Sequence, residues 1–287
     1  MTHDNHDHDH DHDHDRGLAH DLTVLADFAT RRRALLKWGL GLGALPLLAC
    51  AGTNLDPAAG ATTPGQAGAD TGTEAGSDGS CAQIPPETAG PFPGDGTNGA
   101  NALSLSGIVR SDIRSSVAGA SGVANGVVLT VTLTIVDSAN ACAPLAGRAV
   151  YIWHCDQGGN YSMYSAAVAN ENYLRGVQET DENGQVTFTT VFPGCYSGRW
   201  PHIHFEVYPS LAKATAGGNA VATSQLALPE DSCVEVYASA GYEASVSNLA
   251  HITLQTDNVF SDGATLETPT TTGDADAGFV AALTVSV

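Results

Sequence analysis

The chain has 287 residues, 31 acidic and 11 basic, for a net charge of −20 at neutral pH. Residues 1–49 hold five of the bases and eight of the acids, so the remainder stays near −17 with six cations and no basic cluster. Nucleic-acid binding needs Lys and Arg to displace counterions from phosphates, and that class is excluded. A hydrophobic content of 43% is ample for a packed core.

Residues 3–15 alternate His and Asp, a solvated low-complexity leader that chelates divalent metal only weakly. Seven of the eleven histidines fall in the first twenty residues, leaving His154, His202, His204 and His251 for a folded site. Arg31-Arg32-Arg33-Ala34-Leu35-Leu36-Lys37 precedes an apolar stretch from Trp38 to Ala49, a basic region followed by a hydrophobic segment too short to span a bilayer. It resembles a twin-arginine export signal with Arg32 and Arg33 as the pair. Leu47-Leu48-Ala49-Cys50 resembles a lipobox, which implies that Cys50 is the lipidated first residue of the mature protein. Residues 1–50 are therefore expected to be leader, signal and lipobox, with the mature chain held to a membrane through Cys50 and located in the periplasm or at the cell surface. Residues 51–80 are Gly, Ala, Thr, Ser, Pro and Asp with almost no large apolar side chain, and cannot fold alone. As a flexible tether they would span roughly 30 Å.

Residues 81–287 read as one all-β domain. From Gly126 to Asp137, Val127, Leu129, Val131, Leu133 and Ile135 face one way and Thr130, Thr132 and Thr134 the other, the period of a strand. Further strands are predicted at 103–109, 148–154, 185–191, 202–208, 233–238, 250–255 and 278–286. Turns such as Glu182-Asn183-Gly184 and Ser261-Asp262-Gly263 separate them, and no amphipathic helix of ordinary length stands out. Many short strands joined by turns predict an antiparallel sandwich or barrel. Cys81, Cys142, Cys155, Cys195 and Cys233 form no Cys-x-x-Cys; an oxidising compartment favours one or two disulfides, whose pairing the sequence leaves open.

The chemistry concentrates in Pro201-His202-Ile203-His204-Phe205-Glu206-Val207. Side chains two apart on a strand point the same way, so His202 and His204 can present both imidazoles to one ion. Two tyrosines lie in nearby motifs, Tyr196 in Pro193-Gly194-Cys195-Tyr196 and Tyr173 in Asn172-Tyr173-Leu174-Arg175-Gly176. If both phenols reach the imidazoles, the set is two nitrogens and two hard anionic oxygens. Such a set suits ferric iron better than zinc, whose sites favour Cys, His and carboxylate.

These segments, with Val150-Tyr151-Ile152-Trp153-His154, Thr180-Asp181-Glu182-Asn183-Gly184, Arg199-Trp200-Pro201 and an upstream Glu87-Thr88-Ala89-Gly90-Pro91-Phe92, resemble the intradiol ring-cleavage dioxygenases. The resemblance implies an antiparallel β-sandwich of that type and a non-haem Fe(III) held by Tyr173, Tyr196, His202 and His204. It also implies that the enzyme opens a catechol ring with O2 to a muconate-type diacid. Tyr196 then matches the ligand that doubles as a base, Arg199 the cation beside the bound ring, and Gln225 a polar residue behind it. The acidic domain does not attract anionic substrates at long range, leaving Arg199 or Arg175 to act locally. His154 and His251 read as ordinary sandwich residues. The alternative is a non-catalytic, transthyretin-like surface or metal-binding module, for which Pro144-Leu145-Ala146-Gly147 and Asp181-Glu182-Asn183-Gly184 speak equally well.

Overall fold

The structure, a computed structural model, describes residues 81–287. The leader, the Arg32-Arg33 pair, Cys50 and the 51–80 tether lie outside the described residues. The alternation that begins at Val128 produces β1 (Val128–Asp137), which buries Leu129, Val131, Leu133 and Ile135 and turns Thr130, Thr132 and Thr134 outward. β1 pairs antiparallel with β2 (Ala143–Pro144) and β5 (Gln185–Val191), and on its other edge parallel with β9 (Gly278–Ser286). β8 (Thr270–Asp274) closes that side of the first sheet, antiparallel to β9.

The second sheet runs β4 (Arg175–Glu179), β3 (Ala149–Trp153), β6 (His202–Tyr208), β7 (Ala222–Ala227), all antiparallel. Every residue of β3 and β6 is buried, because both faces of these central strands are covered. Val150, Ile152, Ile203, Phe205 and Val207 face inward and share one apolar core with the buried side chains of β1, β5 and β9. On the outer face, Tyr151 and Trp153 pack with Leu103, Ile108 and Tyr161. The segment leading to β1 supplies part of that cover; it joins the body through Ile84 N–H to Ser286 O (2.9 Å) and Glu87 N–H to Thr223 O (2.9 Å).

The strands expected at 185–191, 202–208 and 278–286 form with those limits, while three expected strands do not form. Residues 103–109 are turns whose only ladder contact is an isolated bridge from Val109 to Val177. Residues 233–238 fall mostly in a helix, α2 (Glu230–Tyr237), where Cys233, Val236 and Tyr237 are buried at helical spacing and Glu230 and Asp231 favour the N-terminal turn. Residues 250–255 are turns after α3 (Glu243–Leu249), where the hydroxyls of Thr253 and Thr256 bond nearby backbone and each other. A five-residue helix, α1 (Leu211–Thr215), follows β6. The strands β4, β7 and β8 went unread because Arg-Gly-Val-Gln-Glu, Ala-Thr-Ser-Gln-Leu-Ala and Thr-Thr-Thr-Gly-Asp carry too few apolar residues, and their neighbours supply the pairing. The parallel β1–β9 pair also departs from an all-antiparallel arrangement.

Cys81 and Cys142 form a disulfide, and Cys155, Cys195 and Cys233 are buried free thiols. His154 is buried, as expected, between the Cys155 carbonyl and the Thr190 hydroxyl, whereas His251 is exposed beyond α3. The disulfide closes a loop of 61 residues, so reducing it should cost about 4 kcal/mol on chain-entropy grounds. Urea unfolding with and without reductant measures this, and identical midpoints would show that the crosslink adds no stability.

Candidate active site

The register of the second sheet brings Arg175, Trp153, His204 and Gln225 into one row across four strands. Trp153 stacks on the His204 ring at 4.9 Å with planes 3° apart, fixing the imidazole's tilt. His202 lies one step along the same face of β6. Its Nδ1 is 2.5 Å from the Trp200 carbonyl oxygen, which can only accept, so Nδ1 carries the proton and Nε2 offers a lone pair. That Nε2 lies 3.2 Å from Nε2 of His204. Burial, reinforced for His202 by Arg199 and for His204 by His202 and Arg199, pushes both imidazoles well below their ordinary pKa and keeps them neutral.

Two phenols complete the cluster, and one of them is not the residue expected. Tyr196 places its hydroxyl 3.2 Å from His202 Nε2. The second hydroxyl is that of Tyr161, 3.3 Å from His202 Nε2, 3.4 Å from His204 Nε2 and 3.5 Å from the Tyr196 hydroxyl. Tyr173 is directed elsewhere: its hydroxyl donates to Asp156 Oδ2 at 3.1 Å, and it lines a cavity of about 240 Å³ with Val123, Asn125 and Gln157. The physical reason lies in the chain path. Tyr161 sits on the loop leaving β3, the immediate neighbour of β6, whereas Tyr173 precedes β4, one strand further out. The signal that points to Tyr161 is Gly158-Gly159-Asn160-Tyr161, a sharp turn that places its tyrosine eight residues after the end of a strand beside the histidines.

Arg199 is buried, as a cation beside the site should be, and held through two of its nitrogens. Its Nε donates to Asp257 Oδ2 (2.9 Å) and Nη2 to Gln225 Oε1 (2.7 Å), while Gln225 Nε2 donates to the Thr88 carbonyl (2.8 Å). Burial works against the guanidinium charge, but Tyr196 and Asp257 outweigh it and raise the Arg199 pKa. Asp257, which sequence reasoning missed, also accepts from the Trp200, Val259 and Phe260 amides. Arg175 does not face a substrate: its guanidinium donates to the carbonyls of Phe92, Pro93 and Ser162 and to the hydroxyls of Ser162 and Tyr151. It holds the Gly90–Gly94 segment over the sheet, so close that a Cβ on Gly90 would meet His204 Cε1 at 3.3 Å.

Two imidazole nitrogens and two phenol oxygens thus converge, with five of their six mutual separations between 3.2 and 3.5 Å. Those are the edge lengths of a coordination polyhedron with bonds of about 2 Å. Burial and the neighbouring Tyr196 raise the Tyr161 pKa well above its ordinary value, so only a strong Lewis acid would draw off its proton. The donor set therefore fits a hard, highly charged metal ion. Asp257→Ala should cost about 3–5 kcal/mol, because it leaves the buried Arg199 charge unpaired, and adding Arg199→Met should recover part of the loss. Chemical denaturation of the single and double variants checks this; an Asp257→Ala protein of wild-type stability would refute the pairing.

Residues 110–235 match the family model described as Dioxygenase. No curated protein matches the chain. Among solved structures, the fold is similar to the intradiol ring-cleavage dioxygenase from Tetranychus urticae, with 28% identity over 72% of this chain and 94% of that one, and a TM-score of 0.55. It is equally similar to the dioxygenase Tetur07g02040, with 27% identity, the same coverages and a TM-score of 0.56. By family match and by fold, the likeness of this chain is to dioxygenases of the intradiol, ring-cleaving kind.

Proposed function

We propose that the protein is an intradiol dioxygenase that opens a catechol-type ring with O2, using a non-haem Fe(III) held by Tyr161, Tyr196, His202 and His204. The observation that carries this reading is the convergence of those four donors on the covered outer face of a sheet. A transthyretin-like scaffold has no use for four such groups at one buried point. Two sheets sharing one core support a β-sandwich of that enzyme type.

Bound there, ferric iron would supply a Lewis acid that lowers the pKa of phenols and catechol hydroxyls and makes the ring attackable by O2. Tyr161, the more deeply buried phenol, suits a permanent ligand, whereas the half-buried Tyr196 is accessible enough to take a proton from an incoming diol. His202 keeps its Nε2 lone pair in place through the Trp200 carbonyl, and Trp153 prevents His204 from rotating. Arg199, pinned by Asp257 and Gln225, stabilises negative charge developing beside the ring in a site without bulk water. The Gly90–Gly94 segment excludes water from the His204 side. Both oxygen atoms of O2 end in the muconate-type diacid, so no external reductant is needed.

The test is the visible spectrum of the iron-loaded domain and its response to a catechol added without oxygen. A phenolate-to-iron band that tracks iron content and shifts with catechol is expected. Tyr161→Phe should abolish or strongly shift that band, and Tyr173→Phe should retain it. A colourless Tyr173→Phe protein beside a normally coloured Tyr161→Phe protein would return Tyr173 to the ligand set. A wild-type protein that takes up no ferric iron would remove the enzymatic reading.

We also propose export and lipid anchoring through Cys50. The export-like segment supports this, and the Cys81–Cys142 disulfide suits an oxidising compartment. Expressed from the full chain, the wild-type protein should sediment with membranes and a Cys50→Ala variant should not; equal partitioning would sink the anchor.

A further inference from the structure

The two tyrosine-bearing loops have different origins, one leaving β3 and the other entering β6, yet both bond to one residue, Asp156, the first mainly through its carboxylate and the second through its backbone carbonyl. Asp156 Oδ1 accepts from the Gly158 and Asn160 amides at 2.9 Å and from Asn160 Nδ2 at 3.3 Å, which folds the turn that delivers Tyr161. The Asp156 amide donates to the Asn160 carbonyl (2.8 Å), closing the same turn. The Asp156 carbonyl accepts from the amides of Gly159 and Gly194, both at 3.0 Å, and Gly194 lies two residues before Tyr196. Its remaining oxygen, Oδ2, accepts from the Tyr173 hydroxyl.

The loops touch where no side chain fits. Gly159 has φ +84°, and a Cβ there would stand 3.0 Å from Tyr196 Cβ; a Cβ on Gly194 would stand 2.5 Å from the Gln157 carbonyl oxygen. The turn carrying Tyr196 is fixed on its far side by α3, through Ser245 Oγ accepting from the Cys195 amide (2.9 Å) and Asn248 Nδ2 donating to the Cys195 carbonyl (2.8 Å).

We infer that Asp156 is the positioning residue for both phenol ligands, a clasp that sets the separation of Tyr161 and Tyr196, with Tyr173 holding the clasp in place. The iron part of this inference rests on the ligand set proposed above. The clasp itself rests only on the hydrogen bonds and the glycine contacts. None of the hydrogen bonds of Asp156 goes to the four donor atoms, so its effect reaches the site through the two loops.

Three measurements test it on the same proteins. Amide hydrogen exchange on the iron-free protein reads the loops, competition with nitrilotriacetate reads ferric affinity, and the visible band of the loaded protein reads the phenolates. Asp156→Ala removes the carboxylate that fixes the turn and leaves the carbonyl that holds Gly194, so exchange should speed about tenfold or more in 157–161 and by a smaller factor in 193–198. It should weaken ferric binding about 10- to 100-fold, with a shifted band at saturating iron. Asp156→Asn keeps an oxygen acceptor for Gly158 and Asn160 and should restore most of the affinity and the band, and Tyr173→Phe should show a smaller change of the same sign. Gly159→Ala, which leaves Asp156 in place but presses on Tyr196, should shift the band without Asp156 being altered. Faster exchange confined to 157–161 with an unchanged band, or an Asn variant no better than Ala, would overturn the clasp. If the wild type binds no ferric iron, the ligand set fails while the exchange measurement still decides whether Asp156 joins the loops.

Discussion

Everything in this site depends on β6 being covered on both faces. A strand with one wet face would present His202 and His204 to solvent, where each imidazole keeps its ordinary pKa and its freedom of rotation. Here Ile203, Phe205 and Val207 lock the strand into the shared core from one side. The other side is roofed by Trp153, Tyr161 and the segment around Gly90. Burying two imidazoles and two phenols in that layer is costly unless they are satisfied together. A shared cation would satisfy all four at once, which is why donor geometry and burial point in the same direction.

Three of the domain's six cations are used inwardly. Arg175 fastens the roof through the carbonyls of Phe92 and Pro93, and Arg110 holds the carbonyls of Asn172, Arg175 and Ser115. Arg199 is matched by Asp257 and steered by Gln225. Of these three only Arg199 is ion-paired, while Arg175 and Arg110 donate to neutral oxygens, so their value lies in direction more than in net attraction.

The sequence made the histidine pair, Tyr196, Arg199 and Gln225 legible for a simple reason: each lies on a strand, or at the entrance to one, where period-two geometry or a local motif speaks. The identity of the second phenol is not of that kind. Tyr161 and Tyr173 are separated by eleven residues of loop and short 3-10 helix, and only the strand order decides which loop folds over β6. That order depends on pairing that Arg-Gly-Val-Gln-Glu does not announce. Asp257 was equally silent, because a lone Asp between Thr256 and Asn258 acquires meaning only from an arginine 58 residues away. The helix α2 was misread since Val and Tyr favour strands, while its buried spacing is helical.

The parallel pairing of β1 with β9 bears on how the chain reaches this state. β1 is long, flat in its alternation and rich in Val, Leu and Thr, and one of its edges stays bare until residues 278–286 are present. At ordinary translation rates the roughly 150 residues between them take on the order of ten seconds to synthesise. Throughout that interval β1 is an open template for pairing with other chains. The nascent domain is thus most vulnerable to aggregation in its first sheet, far from the residues that carry its chemistry, and a chaperone that shields an exposed strand edge would matter more to its yield than one that shields a helix.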